Sequence, residues 1–70
     1  MLNTAHAIAR RDALRLSQRE IARRIGTPPN AVGSWFKGTS APNLAHFAKL
    51  VRVLRTTPQE LIILPPPDEH

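Results

Sequence analysis

The chain has 70 residues, enough for one domain with a small core, and it has no cysteine, which excludes disulfide bonds and thiolate metal sites. Ten Lys and Arg residues against five Asp and Glu residues give a net charge of +5, and six arginines fall between Arg10 and Arg24. This charge favours nucleic acid as a partner, although a basic surface that only confers solubility is compatible with it. No apolar stretch is long enough for a membrane span or a secretion signal, so we expect an intracellular protein.

The first two predicted elements are helices. Asn3 or Thr4 can cap a helix that runs to about Leu14. Residues 17–20, Ser-Gln-Arg-Glu, then form a capping box, in which the serine hydroxyl accepts from the glutamate N–H and the glutamate carboxylate accepts from the serine N–H. The second helix therefore covers residues 18–25, and the glycine that follows ends it in a left-handed conformation.

Prolines and glycines set the limits of the third predicted helix. Pro29 can occupy the first turn of a helix, where its missing N–H would have no partner in any case. The helix therefore begins near Pro29 and ends before Gly38. Residues 39–42 then form a loop.

Two further helices complete the predicted fold. Asn43 caps a fourth helix, and its apolar positions have helical spacing: Leu44, Phe47, Ala48, Val51 and Leu54. Residues 57–60, Thr-Pro-Gln-Glu, form a second capping box, which opens a fifth helix over about residues 58–64. Three prolines end it, and we expect residues 65–70 to be a disordered tail. With no internal repeat and no pair of strands, the sequence predicts an all-α domain of five helices over residues 1–64.

Residues 18–38 have the pattern of two helices that cross steeply through a tight turn. Such a pair needs a small residue where the helices touch, a residue that tolerates positive φ in the turn, and branched or bulky apolar anchors on the second helix. These requirements are met in order by Ala22, Gly26, Val32 and Trp35. The pattern predicts a helix-turn-helix.

With these residues the chain resembles the Cro and lambda-repressor-like helix-turn-helix proteins, also called the XRE family. The resemblance covers roughly residues 7–63, and its matching residues are Leu16-Ser17-Gln18, Glu20-Ile21-Ala22, Gly26, Val32, Trp35, Gly38, Pro42, Leu44, Leu54 and Glu60-Leu61-Ile62. It implies a five-helix lambda-repressor-like fold and a recognition helix, about residues 29–37, in the major groove of double-stranded DNA. It also implies a transcriptional regulator of phage or bacterial type, most often a repressor in the cytoplasm or nucleoid of a bacterial host, which binds a roughly palindromic operator as a homodimer.

The resemblance also implies DNA contacts for individual residues. The base-reading positions of the family match Pro29, Asn30 and Ser34. The phosphate contacts at the far end of the recognition helix match Lys37, Thr39 and Ser40. At the near end, Gln18 matches the residue that contacts phosphate and buttresses the recognition helix, and Arg19 lies beside the expected phosphate path.

The chemistry of the predicted readers differs from residue to residue. The Asn30 amide can pair with N6 and N7 of adenine, although asparagine also simply favours the first turn of a helix. Ser34 pairs with almost any base edge, and Pro29 offers only an apolar contact. Gly33 would allow the backbone to approach a base or phosphate closely, or it results from drift at an exposed site. Direct readout is therefore poor in hydrogen bonds, so we expect a larger share for phosphate contacts and DNA shape.

Phe36 stands where the family usually has a glutamate that pairs with an arginine of the first helix. The matching arginine is Arg11, which therefore loses that partner. A buried guanidinium without a partner is costly, so we expect Arg11 to swing out to solvent or, preferably, to stack on Phe36.

The remaining charged residues indicate neither catalysis nor a metal or cofactor. For Arg23 and Arg24 two roles are open, namely a contact to DNA or only the solvation of their helix. Arg10 and Arg15 can extend the positive field without a contact to DNA. Arg52 and Arg55 face the negative end of the fourth helix. The histidines lie on separate elements, and no serine has a base placed by a motif, so we expect no enzyme activity, no metal and no cofactor.

The apolar run of residues 61–64 is the predicted surface for homodimerisation. It has more apolar residues than one short helix can bury, although two of them can complete the core while the tail covers the others.

A second hypothesis for the function is a protein-interaction module on the same fold, such as an antitoxin or an adaptor for RNA polymerase. RNA binding is compatible with the charge, but the chain lacks the exposed aromatic platform that is typical of proteins that bind single strands.

Overall fold

The computed structural model describes residues 2–63, and these residues form five helices. In chain order the helices are α1 (Thr4–Ala13), α2 (Gln18–Ile25), α3 (Pro29–Lys37), α4 (Leu44–Val53) and α5 (Pro58–Leu61). The predicted all-α fold is confirmed, and the bounds of α2 and α3 are those predicted from the capping box, the prolines and the glycines. The expected tail, residues 65–70, lies outside the described residues.

The start of α2 differs in one bond from the predicted capping box. The Ser17 hydroxyl accepts from the N–H of Glu20 at 3.0 Å, as predicted. The reciprocal bond from the Ser17 N–H to the Glu20 carboxylate does not form, because that carboxylate is bound by Arg23 and Arg24. One of the two bonds of the capping box is therefore present, and the Glu20 carboxylate pairs with the arginines of α2 instead of forming the other.

Two arginines end helices in the left-handed conformation that usually requires glycine. Arg15, after α1, has φ of 55°, and Arg55, after α4, has φ of 52°. The N–H of Leu16 donates to the carbonyl of Arg11 at 3.0 Å, and an equivalent bond closes the end of α4. Both ends are Schellman motifs, in which a non-glycine residue carries a backbone strain of roughly 1–2 kcal/mol.

The core lies between all five helices, and α1 contributes the fully buried Ala7 to it. Its largest fully buried side chains are Ile21, Ile25, Val32, Leu50, Leu54 and Leu61. The predicted apolar face of α4 is partly wrong, since Leu44 is 84% exposed and Leu50, which the predicted set omits, is fully buried. Leu44 is the first residue of its helix, so its side chain lies beyond the neighbouring helices instead of between them.

The fifth helix is shorter than predicted. It ends at Leu61, whose carbonyl accepts a 2.8 Å bond from the N–H of Asn3. Ile62 is extended and forms an antiparallel bridge with Leu2. The N-terminal segment therefore pairs with the end of α5, and this isolated bridge belongs to no strand among the described residues. The last residue of the predicted helix, Leu64, lies outside the described residues.

Two segments of the chain, residues 3–20 and 43–60, share six residues, although the sequence predicts no internal repeat. The segment of α1 and the start of α2 recurs as α4 and α5 at a constant spacing of 40 residues. Six residues are identical at that spacing: Asn3 and Asn43, Ala5 and Ala45, His6 and His46, Leu14 and Leu54, Arg15 and Arg55, Glu20 and Glu60. The identical residues include the N-caps of α1 and α4 and the left-handed arginines, so the similarity lies more at the ends of the helices than on their faces.

Candidate nucleic-acid interface

The crossing of α2 and α3 has the predicted helix-turn-helix geometry. Ala22 is 1% exposed and Val32 is fully buried, so the two helices are in close contact at these residues. Trp35 is buried one turn further along α3. Gly26 ends α2 with φ of 84°, and its N–H and that of Thr27 both donate to the carbonyl of Ala22. All four residues of the predicted pattern therefore have their expected roles.

This crossing leaves one face of α3 exposed. Pro29, Asn30 and Lys37 are exposed, and Ser34 is half-buried. The N-cap residue, Pro28, has no side-chain hydrogen bond to the first turn. The positive end of the helix dipole is therefore not neutralised by a side chain, which favours an anion nearby.

Gly33 is buried, so the expectation that it occupies an exposed site is wrong. The carboxamide of Gln18 lies over it, and a Cβ added to Gly33 would lie 2.8 Å from Gln18 Nε2. Nε2 also donates to the carbonyl of Pro29 at 2.7 Å. The predicted role of Gln18 as a buttress of α3 is therefore confirmed, and Gly33 has a packing role that the sequence did not indicate.

The residues predicted to contact phosphate lie at the two ends of α3. Gln18 and Arg19 lie beside its start and are exposed, and the exposed set at its end is Lys37, Thr39 and Ser40. The nine residues of α3 separate these ends by about 12 Å at 1.5 Å per residue, which is close to the width of the major groove, about 12 Å. Within residues 2–63, Arg19 and Lys37 have no ion-pair partner.

Two hydroxyl groups of this face already donate within the protein. Ser34 Oγ donates to the carbonyl of Asn30 at 3.1 Å, and Thr39 Oγ1 donates to the carbonyl of Ser34 at 3.3 Å. Each oxygen can still accept, whereas donation to a base or phosphate would require the internal bond to break. The Asn30 side chain has no such internal bond among the described residues.

The guanidinium of Arg11 stacks on the ring of Phe36, as predicted. Arg11 Cζ lies 5.2 Å from the ring centroid, within the range of a cation–π interaction. The side chain also forms a 3.0 Å ion pair with Asp12, which the sequence pattern does not indicate. Arg11 therefore replaces its missing partner with two contacts and links α1 to α3.

Arg23 and Arg24, for which a contact to DNA and a solvating role were both open, form hydrogen bonds with Glu20. Its carboxylate accepts from Arg23 Nε at 3.0 Å and from Arg24 Nε at 2.9 Å. The bonds from Arg23, and then those from Arg24, lower the pKa of Glu20 from 4.5 to about 2. The two arginines are thus paired, which leaves Arg19 as the basic residue of α2 without an ion-pair partner.

Two basic residues outside the exposed face of α3 cap helices instead. Arg10 Nε donates to the carbonyl of Leu54 at 3.0 Å, and Lys49 Nζ donates to that of Ile25 at 3.4 Å. Each cation satisfies the negative end of a helix. Part of the positive charge of the chain therefore stabilises helix ends within the fold.

The described residues hold no group of three His, Asp or Glu side chains that could bind a metal ion. His6 Nε2 lies 2.7 Å from Thr56 Oγ1, which joins α1 to the segment before α5. The His46 ring lies 5.6 Å from that of Trp35. Both described histidines thus have packing roles. No helix in residues 2–63 has the length and apolar character needed to cross a membrane.

A family model described as helix-turn-helix, HTH_3, matches residues 8–61, most of the chain. No curated protein and no solved structure matches the chain significantly. The matched segment contains the whole α2–α3 crossing and every residue of the exposed face of α3. The chain therefore belongs to the XRE-type helix-turn-helix family of DNA-binding proteins.

Proposed function

We propose that the protein is a transcriptional repressor that binds a specific sequence of double-stranded DNA with α3 in the major groove. The observation that carries the proposal is the exposed face of α3, which has groups for phosphate at both ends and an exposed amide between them. The ends are separated by about the width of the groove. Occupation of a promoter by this domain would exclude RNA polymerase from it.

Base reading by α3 itself depends mainly on Asn30. Its side chain is exposed and has both the donor and the acceptor that adenine requires. Pro29 offers only an apolar surface, which suits a thymine methyl, and Ser34 can accept from a base while it donates to Asn30. Contacts to phosphate from Gln18 and Lys37 would fix the register without reading sequence.

Two copies on a roughly palindromic operator would supply the affinity that one small domain lacks. In the predicted dimer surface at residues 61–64, Leu61 is fully buried in the core, whereas Ile63 is 49% exposed. A mainly apolar groove lies beside it between α4 and α5, and it is lined by Leu44, Phe47, Ala48, Val51, Arg52, Pro58 and Ile62. A second copy docked there would cover Leu44, which is 84% exposed in one copy.

Selection of bound duplexes from a random DNA pool tests the proposal. The expected result is a preferred sequence with two related half-sites about one helical turn apart. Asn30→Ala should lose discrimination at one base pair, worth about 1–3 kcal/mol. Equal affinity for random and selected duplexes at physiological salt would contradict the proposal and favour a protein-interaction module.

A further inference from the structure

The exposed face of α3 has one position without a side chain of its own. Residues 29, 30, 33, 34 and 37 share this face by helical spacing. Gly33 lies in the middle of it and is nevertheless buried, because the carboxamide of Gln18 covers it. At this position the surface offered by α3 is therefore a side chain of α2.

A single hydrogen bond holds that carboxamide in place. Gln18 Nε2 donates to the carbonyl of Pro29 at 2.7 Å, and the residue is otherwise exposed. A primary amide has two N–H donors and one acceptor oxygen. One N–H and Oε1 therefore have no partner within the described residues, and these two groups are the pair that recognises N7 and N6 of adenine.

The glycine is a requirement of this arrangement. A Cβ at position 33 would lie 2.8 Å from Gln18 Nε2 and 3.0 Å from Oε1, both closer than ordinary contacts. The clashing atoms are the end of a flexible side chain, so the carboxamide would move and the helices would not. Alanine also favours a helix more than glycine does, and Gly33→Ala is therefore expected to fold.

We propose that Gln18 reads an A·T base pair in place of a side chain at position 33, and that Gly33 is the positioning residue that makes room for it. The inference rests on the proposed function, since it assumes that α3 lies in the major groove. Gln18 would then be the second side-chain amide, beside that of Asn30, that reads a base from this face. The part expected of Gln18 thereby changes from a phosphate contact to a contact that discriminates between bases.

The test compares the wild type, Gln18→Ala, Gly33→Ala and the double variant on the selected duplex and on duplexes with each base pair replaced in turn. The wild type should discriminate about tenfold, or about 1.4 kcal/mol, against replacement of one A·T pair. Each single variant should lose that discrimination and keep the one that Asn30→Ala removes. The double variant should be no worse than either single variant, because both remove one interaction.

Gln59→Ala is the matched control, since Gln59 is an exposed glutamine near the start of α5. It should leave every affinity unchanged, and thermal unfolding checks that all variants are folded. A uniform loss of affinity for all duplexes in Gln18→Ala would overturn the inference, because it is the result of a phosphate contact alone. Additive losses in the double variant would also overturn it. A wild type that prefers no sequence would overturn the proposed function as well, which distinguishes the two failures.

Discussion

Arg11 shows how a departure from a family pattern is accommodated by a single residue. Its guanidinium lies 5.2 Å from the Phe36 ring centroid and 3.0 Å from Asp12. A cation–π contact at a partly exposed site contributes about 0.5–1 kcal/mol. The stacking could be predicted because a buried cation needs a partner, whereas the ion pair with Asp12 depends on rotamers that no spacing rule specifies.

We therefore predict that Arg11→Ala lowers the free energy of unfolding by about 0.5–1 kcal/mol. The matched control is Arg19→Ala, which removes the same charge from an exposed side chain and should change stability by less than about 0.5 kcal/mol. Chemical denaturation measures both. Arg11→Ala with the stability of the wild type would show that the stacking contributes nothing.

Glu20 is the acid whose titration depends most clearly on its neighbours. Its hydrogen bonds to Arg23 and Arg24 lower its pKa from 4.5 to about 2. Because the pKa is lower in the folded state, the bonds stabilise the fold above about pH 4.5. This contribution is lost as the pH falls towards 2.

We predict that Glu20→Gln is less stable than the wild type at pH 6 and that the difference disappears as the pH falls from 4.5 to about 2. Thermal unfolding of both proteins across this range measures the difference, and other acids cancel in the comparison. A difference that stays constant down to pH 2 would mean that the carboxylate charge is not its source.

At the scale of helices, the ends differ in how well sequence predicts them. The bounds of α2 and α3 follow from Ser17, Gly26 and Gly38, whose chemistry requires particular backbone conformations. The end of α5 could not be predicted in this way, because it is set by a bond from the distant Asn3. Local chemistry thus fixes the ends that have caps, and tertiary contacts fix the others.

The two left-handed arginines give a prediction about helix ends. Arg55 has φ of 52°, so Arg55→Gly should relieve strain and raise the free energy of unfolding by about 1 kcal/mol. The control is Arg52→Gly within α4, which should lower it by about 1 kcal/mol. Denaturation midpoints compare the two, and a loss of stability in Arg55→Gly would show that the arginine side chain contributes more than the strain costs.

At the scale of the whole molecule, part of the positive charge is engaged within the fold and part is exposed. Arg10, Lys49 and the pairs made by Glu20 serve the fold. Arg19 and Lys37 have no ion-pair partner among residues 2–63 and lie beside the two ends of α3. A count of charges therefore overstates the positive charge that lies beside α3, since the exposed Arg15, Arg52 and Arg55 belong to other parts of the chain.

The sequence predicted the helix order, the crossing of α2 and α3, and the residues at that crossing, because each depends on local spacing. It misplaced Gly33, since helical spacing alone puts that residue on the exposed face. The cover comes from Gln18 on another helix, 15 residues earlier in the chain. It also missed Leu50 in the core, which depends on how α4 turns towards its neighbours.

The most direct test of the central claim is to titrate the isotope-labelled protein with the selected duplex and follow its backbone amide resonances. If α3 lies in the major groove, the largest shifts should fall in residues 17–19 and 30–40. The resonances of α4 and α5 outside the dimer groove should change little. Largest shifts in α4 and α5, with α3 unchanged, would contradict the account.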